Sequence, residues 1–334
     1  MNYGTSVLGL GMYVPPRVWT NADFERILNT SDEWIRSRTG VEERRFVEEE
    51  VCTSDIAAQA SLEALKNAHV HPEEIDLVIV ATATPDYLFP STACMVQQKI
   101  QASRAAAFDI SAGCSGFIYA LCTAQQYLAS GLYQKVLVVG AETLSKFIDM
   151  EDRNTCVLLG DGAGAMVLGR NDATNQFLSF VLGADGSGGI HLELPAGGSK
   201  RPASTDTVAG RQHYLKMNGR EVFKWAVEKM VWASRQALAK ADLPIEEVNW
   251  LIPHQANLRI IDGIRERLSF PQEKVLVSLP KYGNTSAASI PLTLAEGITA
   301  GKVRDGDLLL LVGFGAGFTW GASLIRWHAL GAQQ

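Results

Sequence analysis

Along the chain, continuous apolar runs alternate with stretches of helical periodicity, the pattern of an α/β protein. Ser6–Gly11 reads as an opening strand, Pro15-Pro16 as a turn and Asn21–Leu28 as a short helix capped by Asn21. Ser31–Arg45 begins with a capping pattern and becomes dense in arginine around Trp34. An amphipathic helix is predicted over Thr53–Ala68, with Thr53 or Ser54 as its cap. A buried strand over Asp76–Thr84 follows, then a loop, Pro85–Pro90, that carries Tyr87, Leu88 and Phe89. After a helix over Ser91–Ile100, the apolar run Ala105–Ile110 ends in small residues, and a helical pattern, Gly116–Leu128, begins just past Cys114. Lys135–Gly140 reads as a strand and Glu142–Thr155 as a polar loop. Cys156–Gly169 suggests two strands around a glycine-rich hairpin; because it opens no helix, tight backbone packing is favoured over a phosphate cradle.

The second half repeats the first. A shift of 173 positions lays Ser61–Val80 on Ser234–Pro253, each reading as helix, acidic turn and buried strand. At a shift of 170, Phe108–Leu121 falls on Ser278–Pro291, so that Cys114 lies on Asn284, again between a strand and a helix. The strands Lys135–Gly140 and Leu309–Gly313 also match. The chain is therefore expected to be two homologous α/β halves, 1–172 and 173–334. Within the second, Phe177–Leu182 reads as a strand, Ala184–Gln212 as an irregular surface insert and Glu221–Lys240 as a long helix leading to the strand Val248–Pro253.

Composition narrows the class. With 334 residues, 47% apolar and 20% charged, the chain has ample core. No apolar run is long enough for a membrane span, and the N-terminal stretch lacks the features of a signal peptide. Five scattered cysteines fit a reducing cytoplasm, and a net charge of −6 argues against a nucleic-acid partner. His69 and His71 flank Val70 in a polar turn and read as solvated, so no metal site is expected.

The candidate chemistry centres on Cys114. A thiol on a sharp strand-to-helix turn faces the first backbone N–H groups of the helix and its partial positive charge, which favour thiolate. The alternative is a small core cysteine. His254 stands just past a strand in PHQANLRI, where α/β folds place their sites. Cys, His and Asn at converging strand ends suit either a papain-like hydrolase or a thioester condensation in which His and Asn donate to a developing enolate.

The motifs SDEWIRSRTG, DISAGCSGF, DRNTCVLLGDGAGA, IPHQANLRI, GNTSAAS and GFGAGFTWG resemble, over essentially the whole chain, the β-ketoacyl-acyl-carrier-protein synthase III family of thiolase-superfamily condensing enzymes. Asn284, where elongating synthases have a second histidine, points to this branch. The resemblance implies a five-layered αβαβα fold from two duplicated halves, in a cytoplasmic homodimer without metal or resident cofactor. It implies acetyl transfer from coenzyme A to Cys114, then decarboxylative condensation with malonyl-acyl carrier protein. His254, as an Nε2–H donor, and Asn284 would bind the malonyl thioester oxygen. The oxyanion hole would be the backbone N–H of Cys114 with one from Gly315–Gly317, where this chain has Ala316 in place of the family's usual glycine.

By the same resemblance, Trp34 and Arg153 would sandwich the adenine and Arg38 would lie near the phosphates. Gly219 and Asn257 would line the pantetheine tunnel, with Asn257 supporting His254. Phe89 would cross the dimer to close the partner's acyl pocket near Leu144. Lys224, Arg259, Arg265 and Arg267 would form a basic rim for the carrier protein, with Glu266 at a position often basic in the family. Two alternatives stay open: a relative using another primer or acceptor, and a non-catalytic partner subunit. The presence of Cys114, His254 and Asn284 speaks against the second.

Overall fold

The computed structural model describes residues 3–328. Met1, Asn2 and residues 329–334, which the expected halves include, lie outside them.

Two sheets organise the chain. The first is built from β1 (Gly4–Tyr13), β2 (Leu77–Ala81), β3 (Ala106–Ile110), β4 (Lys135–Thr143) and β5 (Asp161–Asn171). Its spatial order is β1-β5-β4-β2-β3, with β4, β2 and β3 parallel and β5 antiparallel to both its neighbours. The second contains β6 (Phe177–Ala184), β7 (Trp250–Pro253), β8 (Leu308–Gly315) and β9 (Thr319–Arg326), ordered β6-β9-β8-β7. The sense of each pairing repeats, so β6, β9, β8 and β7 stand where β1, β5, β4 and β2 stand in the first sheet. Central strands such as β2 and β8 are fully buried and nearly all aliphatic, as strands covered on both faces must be.

Among the helices are α1 (Asp32–Thr39), α2 (Thr53–Ala68), α3 (Thr92–Lys99), α4 (Gly116–Ala129), α5 (Gly219–Ala241), α6 (Leu258–Arg267) and α7 (Ser289–Thr299). α2 and α3 cover the outer face of the first sheet, and α5 with α6 the outer face of the second. α4 and α7 lie between the sheets; α4 touches strands of both. The result is the five-layered αβαβα arrangement. The central helices are the most apolar, because both of their faces are buried: Phe117, Ile118, Leu121, Ile290 and Leu294 pack into the core between the sheets.

Several local expectations are corrected. The first short helix is Asn21–Glu25, capped by Thr20 rather than Asn21. Cys52, not Thr53 or Ser54, caps α2, because Asp55 reaches back to its N–H. Glu142 and Thr143 are buried ends of β4 rather than the start of a loop. Residues 156–169 make no hairpin: turns over 156–158 lead into a single strand, β5. Its glycines serve close packing, as expected: a Cβ on Gly164 would lie 2.6 Å from Pro291. The 184–212 insert is partly ordered, with a 3₁₀ turn at Gly186–His191 and a short helix at Thr205–Ala209.

The largest departure precedes Asn284. The segment lying on β3 in the repeat is a short helix, Leu279–Tyr282, with proline in its first turn. Only one parallel bridge, Leu251 to Val275, marks where a fifth strand would pair. Asn284 is therefore not at a strand end.

Candidate active site

Cys114 sits in a 3₁₀ turn, Gly113–Ser115, that runs straight into α4. The turn needs glycine at 113: its φ is +52°, and a Cβ there would lie 2.6 Å from the Ala316 nitrogen. A Cβ on Gly315 would likewise strike the Cys114 nitrogen. The β8–β9 turn thus packs directly on the Cys114 turn, setting the Cys114 and Ala316 backbone nitrogens side by side.

His254 continues β7 by donating its N–H to the Val312 carbonyl at 2.8 Å, and its side chain is buried. Its Nδ1 lies 2.7 Å from the Ser289 hydroxyl, which also accepts the Gln255 N–H at 3.3 Å. The Ser289 oxygen has a second lone pair, so it can pair with either tautomer; with its hydroxyl as donor to Nδ1, the ring carries its own proton on Nε2. Burial pulls the imidazole down to about 3, so this tautomer is neutral. Asn284 is fixed in the same manner. Its backbone is held between Leu158 and Gly160, and its Oδ1 accepts the Ser286 N–H at 2.8 Å, which leaves the amide NH₂ as the group to offer. Arg44, fully buried and bonded to the Val157 carbonyl, braces the segment that holds Asn284.

Cys114, His254, Asn284, Ser286 and Ala316 line one cavity of about 520 Å³. Leu144, Leu158, Leu159, Val222, Met230 and Phe314 make its wall largely apolar, whereas Arg38, Arg220 and Arg259 also contribute to its lining. Burial opposes the thiolate that the helix terminus favours. The cysteine is half-buried in the cavity lining, and desolvation pushes its thiol up to about 12, against the Ser286 hydroxyl that pulls it down and with the Glu142 charge that pushes it further up. Low dielectric outweighs the helix terminus here.

The remaining predicted positions divide. Leu144, Gly219, Asn257 and Arg38 line the cavity, but Gly219 has room for a Cβ. Asn257 caps α6 through the Arg259 N–H and donates to the Arg38 carbonyl; it is Ser289 that holds His254. Trp34 and Arg153 lie outside the lining, with the guanidinium 5.0 Å over the indole ring and anchored on the Asn29 carbonyl. That contact is too close for a purine between them, so Arg153 must swing away to admit one. Phe89 is 85% exposed, beside exposed Tyr87 and Leu88. Of the four expected docking cations only Arg259 lines the cavity, and Arg265 is engaged by Asp262 and Glu266. Arg220, Ser286, Ser289 and Glu142 were not anticipated. No group of three metal-ligating side chains is found among the described residues.

Residues 108–186 match the sequence profile of 3-oxoacyl-[acyl-carrier-protein] synthase III, and residues 238–327 match that of its C-terminal region. The chain is 53% identical to β-ketoacyl-[acyl-carrier-protein] synthase III of Caldanaerobacter subterraneus over 96% of its length and 97% of the relative's. The chain belongs to the 3-oxoacyl-[acyl-carrier-protein] synthase III family. The Symbiobacterium thermophilum member is 54% identical, again over 96% of this chain and 97% of its own. The crystal structure of the Aquifex aeolicus family member superposes with a TM-score of 0.90 at 50% identity, covering 97% of this chain and all of that one. As a member of the synthase III family, the chain has the thiolase-like fold and is an acyl-transferring condensing enzyme.

Proposed function

We propose that the protein starts fatty acid synthesis by loading acetyl, or another short acyl group, from coenzyme A onto Cys114 and condensing it with malonyl-acyl carrier protein. The observation that carries this reading is the pair of fixed donors beside the thiol. His254 presents Nε2–H and Asn284 its amide NH₂, each oriented by a hydrogen bond on its far side. Two such donors stabilise a thioester oxygen as it gains enolate charge on loss of carbon dioxide. A papain-like reading needs a histidine with a free lone pair and an asparagine behind it; here the histidine's second nitrogen is taken by Ser289.

In the first half-reaction, Sγ attacks the acyl carbon, the backbone N–H groups of Cys114 and Ala316 hold the oxyanion, and coenzyme A leaves as the thiol. In the second, the malonyl enolate attacks the acyl-Cys114 carbonyl and returns the cysteine to its resting form. The apolar cavity holds the pantetheine arm past Gly219 and Asn257. Arg38 meets the phosphates, and Trp34 with Arg153 the adenine. The exposed Tyr87-Leu88-Phe89 loop fits a homodimer in which Phe89 closes the partner's acyl pocket near Leu144. Arg259, Lys224 and Arg267 would meet an acidic carrier, with Arg265 contributing least. A cytoplasmic setting follows from these substrates, and among the described residues no helix is long and apolar enough to cross a membrane.

A second reading is a specialised primer: the priming β-ketosynthase of the R1128 polyketide pathway superposes at a TM-score of 0.91 with 36% identity. Intact-mass analysis after incubation with acyl-coenzyme A thioesters of increasing length separates the two. Acetyl transfer to Cys114 alone is the expected result; a preference for long or branched chains favours the specialised primer, and no adduct overturns both.

A further inference from the structure

The cysteine has a proton to lose, and with the ring proton on Nε2 His254 offers no lone pair to take it. A buried carboxylate stands one hydroxyl away. Glu142, on the last turnless stretch of β4, is 0% exposed and has no ion-pair partner among the described residues. Its Oε2 meets the Thr82 and Thr84 hydroxyls at 3.2 and 2.8 Å, and both oxygens accept the Ala83 N–H, at 3.1 and 3.0 Å. Its Oε1 meets the Ser286 hydroxyl at 2.8 Å, and the Ala287 N–H adds a further donor. Ser286 in turn lines the same cavity as Cys114 and acts to lower the pKa of its thiol. It is held for this purpose in a left-handed backbone, φ +47°, which a serine rarely adopts unless its surroundings fix it.

We propose that Glu142, acting through the Ser286 hydroxyl, takes up the Cys114 proton as the sulfur becomes a nucleophile. The S–H bond breaks, its proton moves to Ser286 Oγ, and the serine's own proton passes to Glu142 Oε1. The sulfur keeps the electron pair that forms the thioester bond. When the departing sulfur needs a proton, Glu142 Oε1 returns its proton to Ser286 Oγ and the serine passes its own to that sulfur, so no outside acid or base is consumed. Glu142 is then a positioning residue whose charge never meets the substrate. Burial raises its carboxyl above the usual range, which suits a group that must hold a proton transiently. The groups facing it are consistent with this. The 82–84 segment offers hydroxyls and backbone N–H, the turn after Asn284 offers Ser286 and Ala287, and Cys114 is the titratable neighbour. Asp161, on the adjoining strand, turns its carboxylate to Val47 and Ser145.

The assignment rests on the proposed function only for the identity of the thioester, and its test avoids thioesters altogether. Alkylation of the free enzyme by iodoacetamide is followed peptide by peptide, with exposed Cys94 as internal standard. Internal transfer from Cys114 to Glu142 predicts a Cys114 rate that stays level over roughly pH 6 to 8, because the pair shares one proton. In Glu142→Gln and in Ser286→Gly the rate near pH 7 should fall about 10²-fold, the lower end for a positioned base, and climb tenfold per pH unit. Ser286→Gly suits the left-handed backbone, so it keeps the test valid if the glutamine variant folds poorly. Equal rates and profiles in the wild type and both variants overturn the proposal. So does a deficit in the serine variant that a well-folded Glu142→Gln does not share.

Discussion

In the N-terminal half a complete strand, Ala106–Ile110, runs into the turn at Cys114; in the C-terminal half the matching place holds a single bridge at Val275 and a helical turn before Asn284. Past those points the halves agree again. Each half makes a 3₁₀ turn and enters a helix buried between the two sheets. What the duplication keeps is the turn that opens the central helix, whereas the route into it differs. The two turns are also stabilised differently. The Cys114 turn is shaped by backbone contact with the β8–β9 turn, and the Asn284 turn by hydrogen bonds from the other half, at Leu158, Gly160 and Glu142. On the proposed reading, one turn supplies a nucleophile and backbone donors, the other a side-chain donor.

If that division holds, damage on the His254–Asn284 side should spare loading. The larger effect is expected for Ser289→Ala, which frees the imidazole to choose its tautomer and leaves Nδ1 without its partner. Condensation should fall about tenfold, the cost of roughly one buried hydrogen bond, with acetyl loading unchanged. Loss of loading to the same degree would place His254 in the first half-reaction. Single-turnover measurements of each step decide between them.

A smaller effect concerns stability. Folded His254 stays neutral down to about 3, while its ordinary value is 6.5. Below 6.5 the unfolded chain therefore takes a proton that the folded chain refuses, and stability falls with pH. This site contributes up to about 1.4 kcal/mol per pH unit through that window. Urea midpoints measured near neutrality and again in mild acid should drop more in the wild type than in His254→Ala. Parallel slopes would mean that the ring is protonated in the fold.

Much of this was legible in the sequence, for identifiable reasons. Apolar runs and helical periods placed most of the strands and long helices, since burial on both faces leaves an unmistakable pattern at β2 and β8. The internal repeat brought Cys114 and Asn284 together before any geometry was known. Hidden features were those that depend on distant partners. Glu142 follows an apolar run and reads as a loop residue; its burial becomes tolerable only because Thr82, Thr84, Ala83 and Ser286 converge on it. The segment Ser278–Tyr282 is short enough to read as strand or helix, and Pro280 decides for the helical turn. At Cys114 the helix terminus that favours thiolate was visible in the sequence, and the burial that opposes it was not.

The central claim is that Cys114 carries the acyl group while His254 and Asn284 serve the enolate. Its most direct test follows acetyl loading and malonyl decarboxylation separately in Cys114→Ala, His254→Ala and Asn284→Ala. The account predicts no adduct but residual decarboxylation in the first. In the other two it predicts adduct formation with decarboxylation reduced about 10²–10³-fold, the usual cost of removing a preorganised donor. Abolished loading in His254→Ala together with normal decarboxylation in Asn284→Ala would contradict it.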